Sequence, residues 1–87
     1  MQLHIIQQSH DVFSVLECLQ ADDALLFIHD GVYNLLRHKA LLEQQAPFFA
    51  LAEDLSLRGI AAPAHVKPIT MDEFVQLSLK AQHCVSW

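Results

Sequence analysis

Cysteine is the residue type through which this chain could do covalent chemistry, and it has two, Cys18 and Cys84. A thiolate can accept sulfur and pass it on where a helix N-terminus or a nearby cation favours its ionisation. Cys18 is predicted near the C-terminal end of a helix, whose dipole disfavours a thiolate. Its neighbours are acidic, namely Glu17, Asp22 and Asp23. We therefore expect Cys18 to be an ordinary residue at a helix boundary, with a functional thiol as the alternative.

The second cysteine, Cys84, follows His83 in the C-terminal segment. A histidine can activate a cysteine, but adjacent residues of an extended segment point to opposite sides. We therefore expect no catalytic pair here. Because the two cysteines are far apart in the sequence and we expect a cytoplasmic protein, free thiols are favoured over a disulfide.

Metal, cofactor and nucleic-acid sites all lack their usual sequence signals. The six histidines include no pair spaced i, i+4, and there is no Cys-x-x-Cys, so no metal site is predicted. Two glycines are too few for G-x-G-x-x-G, and no dinucleotide or other cofactor is expected. The formal charge is −5 without a cluster of Lys and Arg, so direct binding of nucleic acid is not expected. The histidines are His4, His10, His29, His38, His65 and His83.

A polar corner follows the apolar run Leu25–Ile28, where His29, Asp30 and Gly31 come in succession. Open α/β sheets carry their sites at the carboxyl ends of their strands. His29 and Asp30 could therefore line a pocket or contact a neighbouring subunit. The alternative, which we favour, is that Asp30 caps the next helix while Gly31 lets the chain turn tightly.

Four short apolar segments are predicted as strands, at residues 3–6, 25–28, 48–51 and 66–69. Helical patterns alternate with them, which predicts a mainly parallel sheet with helices on both faces. We expect Ser9 to cap the first helix, Gly59 to end the third, and a capping box from Thr70 to Glu73 to begin the last. Residues 40–45 either prolong the second helix or form a short one, and residues 82–87 are a short tail. The chain, 1–87, is expected to be a single domain.

The composition is unusually apolar for such a small domain, with 53% hydrophobic and 17% charged residues. A domain of this size cannot bury so much apolar surface alone, so we expect a subunit interface; a monomer with an apolar surface is the alternative. Trp87 is expected to dock on its own domain or on a partner. No signal peptide and no apolar run of about 20 residues are recognised, so we expect a cytoplasmic protein without a membrane span.

Three segments together resemble one family. They are Leu25–Val32, Phe49–Ile60, which contains Glu-Asp-Leu-x-x-Arg-Gly, and the ending from Asp72–Val75 to Trp87. Over almost its whole length the chain is similar to the TusB/DsrH family of sulfur-relay proteins, within the DsrE/DsrF/DsrH-like superfamily. The resemblance implies a small Rossmann-like or flavodoxin-like three-layer α/β domain with a mainly parallel sheet of four to five strands.

The resemblance also implies a function and partners. Family members sit beside TusC/DsrF-like and TusD/DsrE-like subunits in a heterohexamer that relays persulfide sulfur, in the Tus system toward 2-thiolation of the tRNA wobble uridine, which is the destination we expect for this chain. The reactive cysteine then belongs to a partner, and this chain is mainly a scaffold rather than an enzyme on its own. One alternative is a persulfide carrier that uses Cys18, as in the branch that serves dissimilatory sulfur oxidation. Another is a stand-alone homo-oligomer without a sulfur-transfer role.

Overall fold

The computed structural model describes residues 1–8, 15, 17, 19, 20, 22–37 and 47–87. Its described part contains five strands that form one sheet, in the order β4-β3-β2-β1-β5, and every neighbouring pair is parallel. The α/β fold class and the parallel sheet predicted from the sequence are confirmed. The strands are β1 Gln2–Ile6, β2 Ala24–Phe27, β3 Phe48–Leu51, β4 Val66–Ile69 and β5 His83–Ser86.

The fifth strand corrects the prediction that residues 82–87 form only a short tail. β5 pairs with β1, so that Leu3 lies opposite Cys84 and His4 opposite Val85. Three of its four residues are exposed, which is typical of an edge strand. The segment becomes a strand because β1 offers it a free edge.

Helices follow β2, β3 and β4, and Val15 and Glu17, between β1 and β2, are helical as well. A 3-10 helix, His29–Tyr33, leads into α1, Asn34–Arg37; α2 is Ala52–Leu57 and α3 is Met71–Lys80. Gly59 has φ +64° just after α2, and Thr70 and Glu73 form the reciprocal capping box at the start of α3, so both predictions are confirmed. Ser9, Cys18 and residues 40–46 lie outside the described residues.

Each face of the sheet has its own apolar cluster, as expected for a parallel sheet that is covered on both sides. On one face, strand residues such as Ile6 and Phe27 pack with Val15, Val32 and Leu55. On the other face, strand residues pack with α3; the buried ones are Leu3, Ile5, Ala24, Leu26, Ile28, Leu51 and Ile69. The ten-residue α3 is the longest helix of the described part, where no helix has the length and apolarity needed to cross a membrane.

Candidate functional site

Polar and charged residues that follow two neighbouring strands meet at the carboxyl ends of those strands. His29 and Asp30 lie just beyond the end of β2, and Asp54 and Arg58 lie in and just after α2, which follows β3 directly. Since β2 and β3 are adjacent and parallel, their carboxyl ends open on the same side. The four side chains form what we call the strand-end corner.

Arg58 joins the two carboxylates of the strand-end corner. Its Nη1 donates to Asp54 Oδ1 at 3.2 Å, while Nη2 and Nε both donate to Asp30 Oδ1 at 3.1 and 3.2 Å. The hydrogen bond to Asp30 raises the pKa of Arg58 and outweighs the opposing effect of its partial burial. The guanidinium therefore stays charged and is committed to partners within the chain.

Asp54, and not Asp30, holds the turn that follows β2. The buried Asp54 carboxylate accepts a hydrogen bond from the backbone N–H of His29 at 2.8 Å through Oδ2. The N-cap position of the 3-10 helix is Ile28, which makes no side-chain cap, and Asp30 lies inside that helix with its carboxylate on Arg58. The prediction that Asp30 caps the following helix is therefore wrong, because the helix begins at His29, two residues earlier than a cap at Asp30 requires.

The residue with the unusual backbone conformation in this turn is His29, and not Gly31 as the sequence suggested. His29 adopts φ +51°, a left-handed conformation that is uncommon for a residue with a side chain. Gly31 instead lies against β1, where an added Cβ would be 2.0 Å from the Ile6 carbonyl oxygen. The absence of a side chain at Gly31 is thus needed for close approach to β1. On the following turn, Asn34 Nδ2 donates to the Gly31 carbonyl at 2.9 Å and fixes the same segment.

The surroundings of the strand-end corner are apolar and exposed. Tyr33, Leu36 and Leu57 are 37%, 63% and 74% exposed, and the Arg58 guanidinium lies 6.0 Å from the centre of the Tyr33 ring. The His29 ring is also exposed, with Nδ1 3.8 Å from Asp54 Oδ2, which is too long for a hydrogen bond. Exposed apolar side chains next to charged groups, such as Tyr33 and Leu57 next to Arg58, form the kind of surface that protein partners cover.

The terminal aromatic docks on its own domain. Trp87 Nε1 donates to His4 Nδ1 at 3.1 Å, the two rings stack with centroids 6.1 Å apart, and Trp87 N donates to the Ile5 carbonyl. Because Nδ1 of His4 accepts this bond, its Nε2 carries the proton and donates to Asp23 Oδ2 at 3.2 Å. His4, Asp23 and Trp87 therefore form one hydrogen-bonded chain across β5, β1 and the residue before β2.

Asp23 is the buried carboxylate at the end of this chain. Burial raises its pKa, but the backbone N–H groups of Gln2 and Gln20 and the His4 ring donate to it, and together they leave the pKa of Asp23 below its ordinary value. The sequence analysis did not predict the contact between Asp23 and His4, because two adjacent aspartates before a strand are typical of a polar loop. The histidine between Leu3 and Ile5 in an apolar strand was the one signal that a buried polar contact is needed there.

Cys84, the cysteine that the structure describes, lies away from the strand-end corner. Cys84 is exposed on the edge strand β5, with Sγ 4.0 Å from the Ser78 carbonyl oxygen, and β1 separates that strand from β2 and β3. Among the residues that the structure describes, no three His, Cys, Asp or Glu side chains are grouped as a metal site would need. In the strand-end corner the carboxylates of Asp30 and Asp54 are both hydrogen-bonded to Arg58, so the arrangement is structural.

Fold and corner together define a small parallel α/β domain that carries its polar groups at its strand ends. The profile of the family described as DsrH like protein matches residues 7–84. Protein TusB of Yersinia enterocolitica is 31% identical over 83 residues, covering 88% of this chain and 87% of that protein. Protein TusB of Salmonella typhimurium is 33% identical over 85 residues, covering 91% and 90%. The chain therefore belongs to the DsrH family of sulfur-relay proteins.

A solved structure agrees with the fold. The crystal structure of the ychN protein from E. coli superposes with a TM-score of 0.76 at 20% sequence identity, covering 99% of this chain and 98% of that one. At this identity the likeness concerns the fold alone.

The segments that resemble the family meet in the strand-end corner. Asp30 lies in one of these segments and Asp54 and Arg58 in another, and ion pairs join the three side chains.

Proposed function

We propose that this chain is a largely non-catalytic subunit of a cytoplasmic sulfurtransferase complex that relays persulfide sulfur toward 2-thiolation of the tRNA wobble uridine. Its partners would be TusC/DsrF-like and TusD/DsrE-like subunits in a heterohexamer, and alone it would form a homo-oligomer. The relatives named Protein TusB support this branch over sulfur oxidation.

The observation that supports the scaffold role is that the charged groups of the strand-end corner bind one another and the backbone of their own chain. Arg58 is bound to two carboxylates, and Asp54 is bound to the backbone of the turn, so these groups hold the corner in shape. The exposed Tyr33 lies under the Arg58 guanidinium, and the exposed Leu57 directly precedes Arg58 in the chain. A rigid polar centre with exposed apolar neighbours suits a subunit contact better than it suits a chemical step.

The test is co-purification of this chain with its two homologous subunits, with Leu57→Asp as the variant. Leu57 is 74% exposed, so the substitution should leave the fold intact, and loss of a leucine contact should weaken assembly by roughly 10- to 100-fold. Leu79→Asp, at an 80% exposed leucine of α3, is the matched control and should assemble normally. An intact complex with Leu57→Asp would contradict the proposed contact.

The division of labour is tested separately with labelled sulfur. After incubation of the complex with a persulfide donor, sulfane sulfur should appear on a partner cysteine and not on this chain. Labelled sulfur on Cys18 would contradict the scaffold hypothesis and support the alternative that this chain is a persulfide carrier. Sedimentation of the isolated chain measures its own oligomeric state.

A further inference from the structure

The two faces of the sheet are covered unequally within the described part of the chain. One face packs against residues from several segments, among them Val15, Val32 and Leu55. On the opposite face the helical contacts come from α3 alone, through Phe74 and Leu77, and both residues remain only half-buried. This opposite face is called the α3 face below.

The α3 face is wider than the helix that covers it. Five strands spaced about 4.8 Å apart span about 19 Å, whereas one helix with its side chains is about 10 Å across. Within the residues that the structure describes, the remaining width is enough for one more helix. The groove left open lies between α3 and the strands β3 and β4.

The groove has an apolar floor and a charged rim. Phe49, Ile69 and Leu77 form the floor, and Lys67 and Lys80 stand on the rim. Its volume is about 210 Å³, less than the roughly 300–1,000 Å³ of small-molecule sites. The size therefore suits one or two inserted side chains of a peptide rather than a whole cofactor.

The charge of the groove is opposite to that of the chain. Two of the five basic residues of a protein with formal charge −5 stand on this rim. Glu73 also lines the groove, and the hydrogen bond from the Thr70 backbone, with the nearby charge of Lys67, lowers the pKa of its carboxyl, so it stays ionised. Two lysines and one glutamate leave the rim with a net charge of +1, which attracts an acidic partner.

We propose that this groove docks an acidic amphipathic helix of another protein, which lies beside α3 and completes the layer. Its apolar side chains would fill the floor at Phe49 and Leu77, and its carboxylates would pair with Lys67 and Lys80. A second copy bound about a two-fold axis would instead place the same lysines face to face, which is unfavourable. The proposal is independent of the sulfur-relay function, because it uses no residue of the strand-end corner.

The probe is a designed amphipathic helix of about 15 residues, long enough to be helical, with a leucine face flanked by glutamates. Its counterpart carries lysines in place of the glutamates. Titration of the isotope-labelled full chain by NMR should show saturable binding of the acidic peptide, with shifts at Phe49, Lys67 and Leu77. Binding should weaken as salt is raised, since the pairs are solvent-exposed, and the basic peptide should not bind.

Two variants with equal charge make the test specific. Lys67→Gln with Lys80→Gln should weaken binding about tenfold, the value expected for two exposed ion pairs. Ser56→Glu with Ala64→Glu lowers the formal charge by the same two units at exposed positions outside the groove and should bind as the unmodified chain does. Melting temperatures confirm that both variants fold.

Several results would overturn the proposal. They are equal binding of both peptides, no binding of either, equal losses in the two double variants, or shifts that lie away from the groove. Equal competition by inorganic phosphate would mean that the lysines bind any small anion. Loss of self-association in the Lys67→Gln, Lys80→Gln variant would mean that the occupant is a second copy.

Discussion

Replacing Gly31 by alanine is the sharpest test of how the strand-end corner is built. The new Cβ would be 2.0 Å from the Ile6 carbonyl oxygen, 2.7 Å from its carbon and 3.3 Å from Gln7 N, all of them backbone atoms. Real contacts do not fall below 3.0 Å, so the backbone must separate by about 1 Å. The same Ile6 oxygen accepts the N–H of Ile28 at 3.0 Å, and this bond lies in the path of the movement.

The expected loss of stability follows from these contacts. Overpacking of a close-packed site costs about 1–3 kcal/mol, and weakening the hydrogen bond between Ile28 and Ile6 adds about 0.5–1.5 kcal/mol. The smaller entropy of the unfolded alanine chain offsets about 0.4–1 kcal/mol. We expect Gly31→Ala to lower the free energy of unfolding by about 2–3 kcal/mol, out of roughly 4–13 kcal/mol for a domain of this size.

Gly59 is the matched control, because it is the other glycine of the chain. Its φ is +64°, and nothing lies within 4 Å of an added Cβ, so alanine there meets only the left-handed conformational penalty of about 1–2 kcal/mol. Urea unfolding followed by circular dichroism measures both variants. A Gly31→Ala midpoint equal to or above that of Gly59→Ala would refute the steric reasoning.

Three further predictions concern the buried polar contacts. Asp54→Ala should destabilise by about 2 kcal/mol, because the His29 N–H loses a charged acceptor, whereas Asp30→Ala, at an exposed carboxylate, should cost clearly less in the same urea assay. Trp87→Phe should lower stability by about 1 kcal/mol by leaving His4 Nδ1 unpaired, and an unchanged thermal midpoint would contradict this. Because the pKa of Asp23 is lowered in the folded state, its stabilisation is complete above the unfolded pKa and is lost as pH falls through the folded pKa; stability measured against acid pH should therefore be flatter in Asp23→Asn.

Much of the fold could be predicted because its signals are local. The run Leu25–Ile28 is apolar without alternation, which indicates a strand covered on both faces. Thr70 and Glu73 satisfy each other three residues apart, and Gly59 ends α2 within one turn. Each signal requires only residues that are neighbours in the sequence, so no knowledge of the tertiary structure was needed.

The contacts that escaped prediction join distant parts of the chain. β5 is mostly exposed and has no apolar run, and it is a strand only because it pairs with β1. The bond between Trp87 and His4 spans 83 positions, and that between His4 and Asp23 spans 19. Periodicity cannot indicate such pairs, since the strand order that brings them together is a property of the whole sheet.

The strand-end corner shows how a motif can be recognised while its residues are assigned the wrong tasks. Asp30 and Gly31 indicate a turn, yet the left-handed residue is His29, the capping carboxylate is Asp54, and Gly31 is small because β1 passes beside it. Asp30, Asp54 and Arg58 are thus bound to this chain's own backbone or side chains. Groups used in this way fix the shape of the turn, and it is on this ground that an assembly role is proposed for the corner.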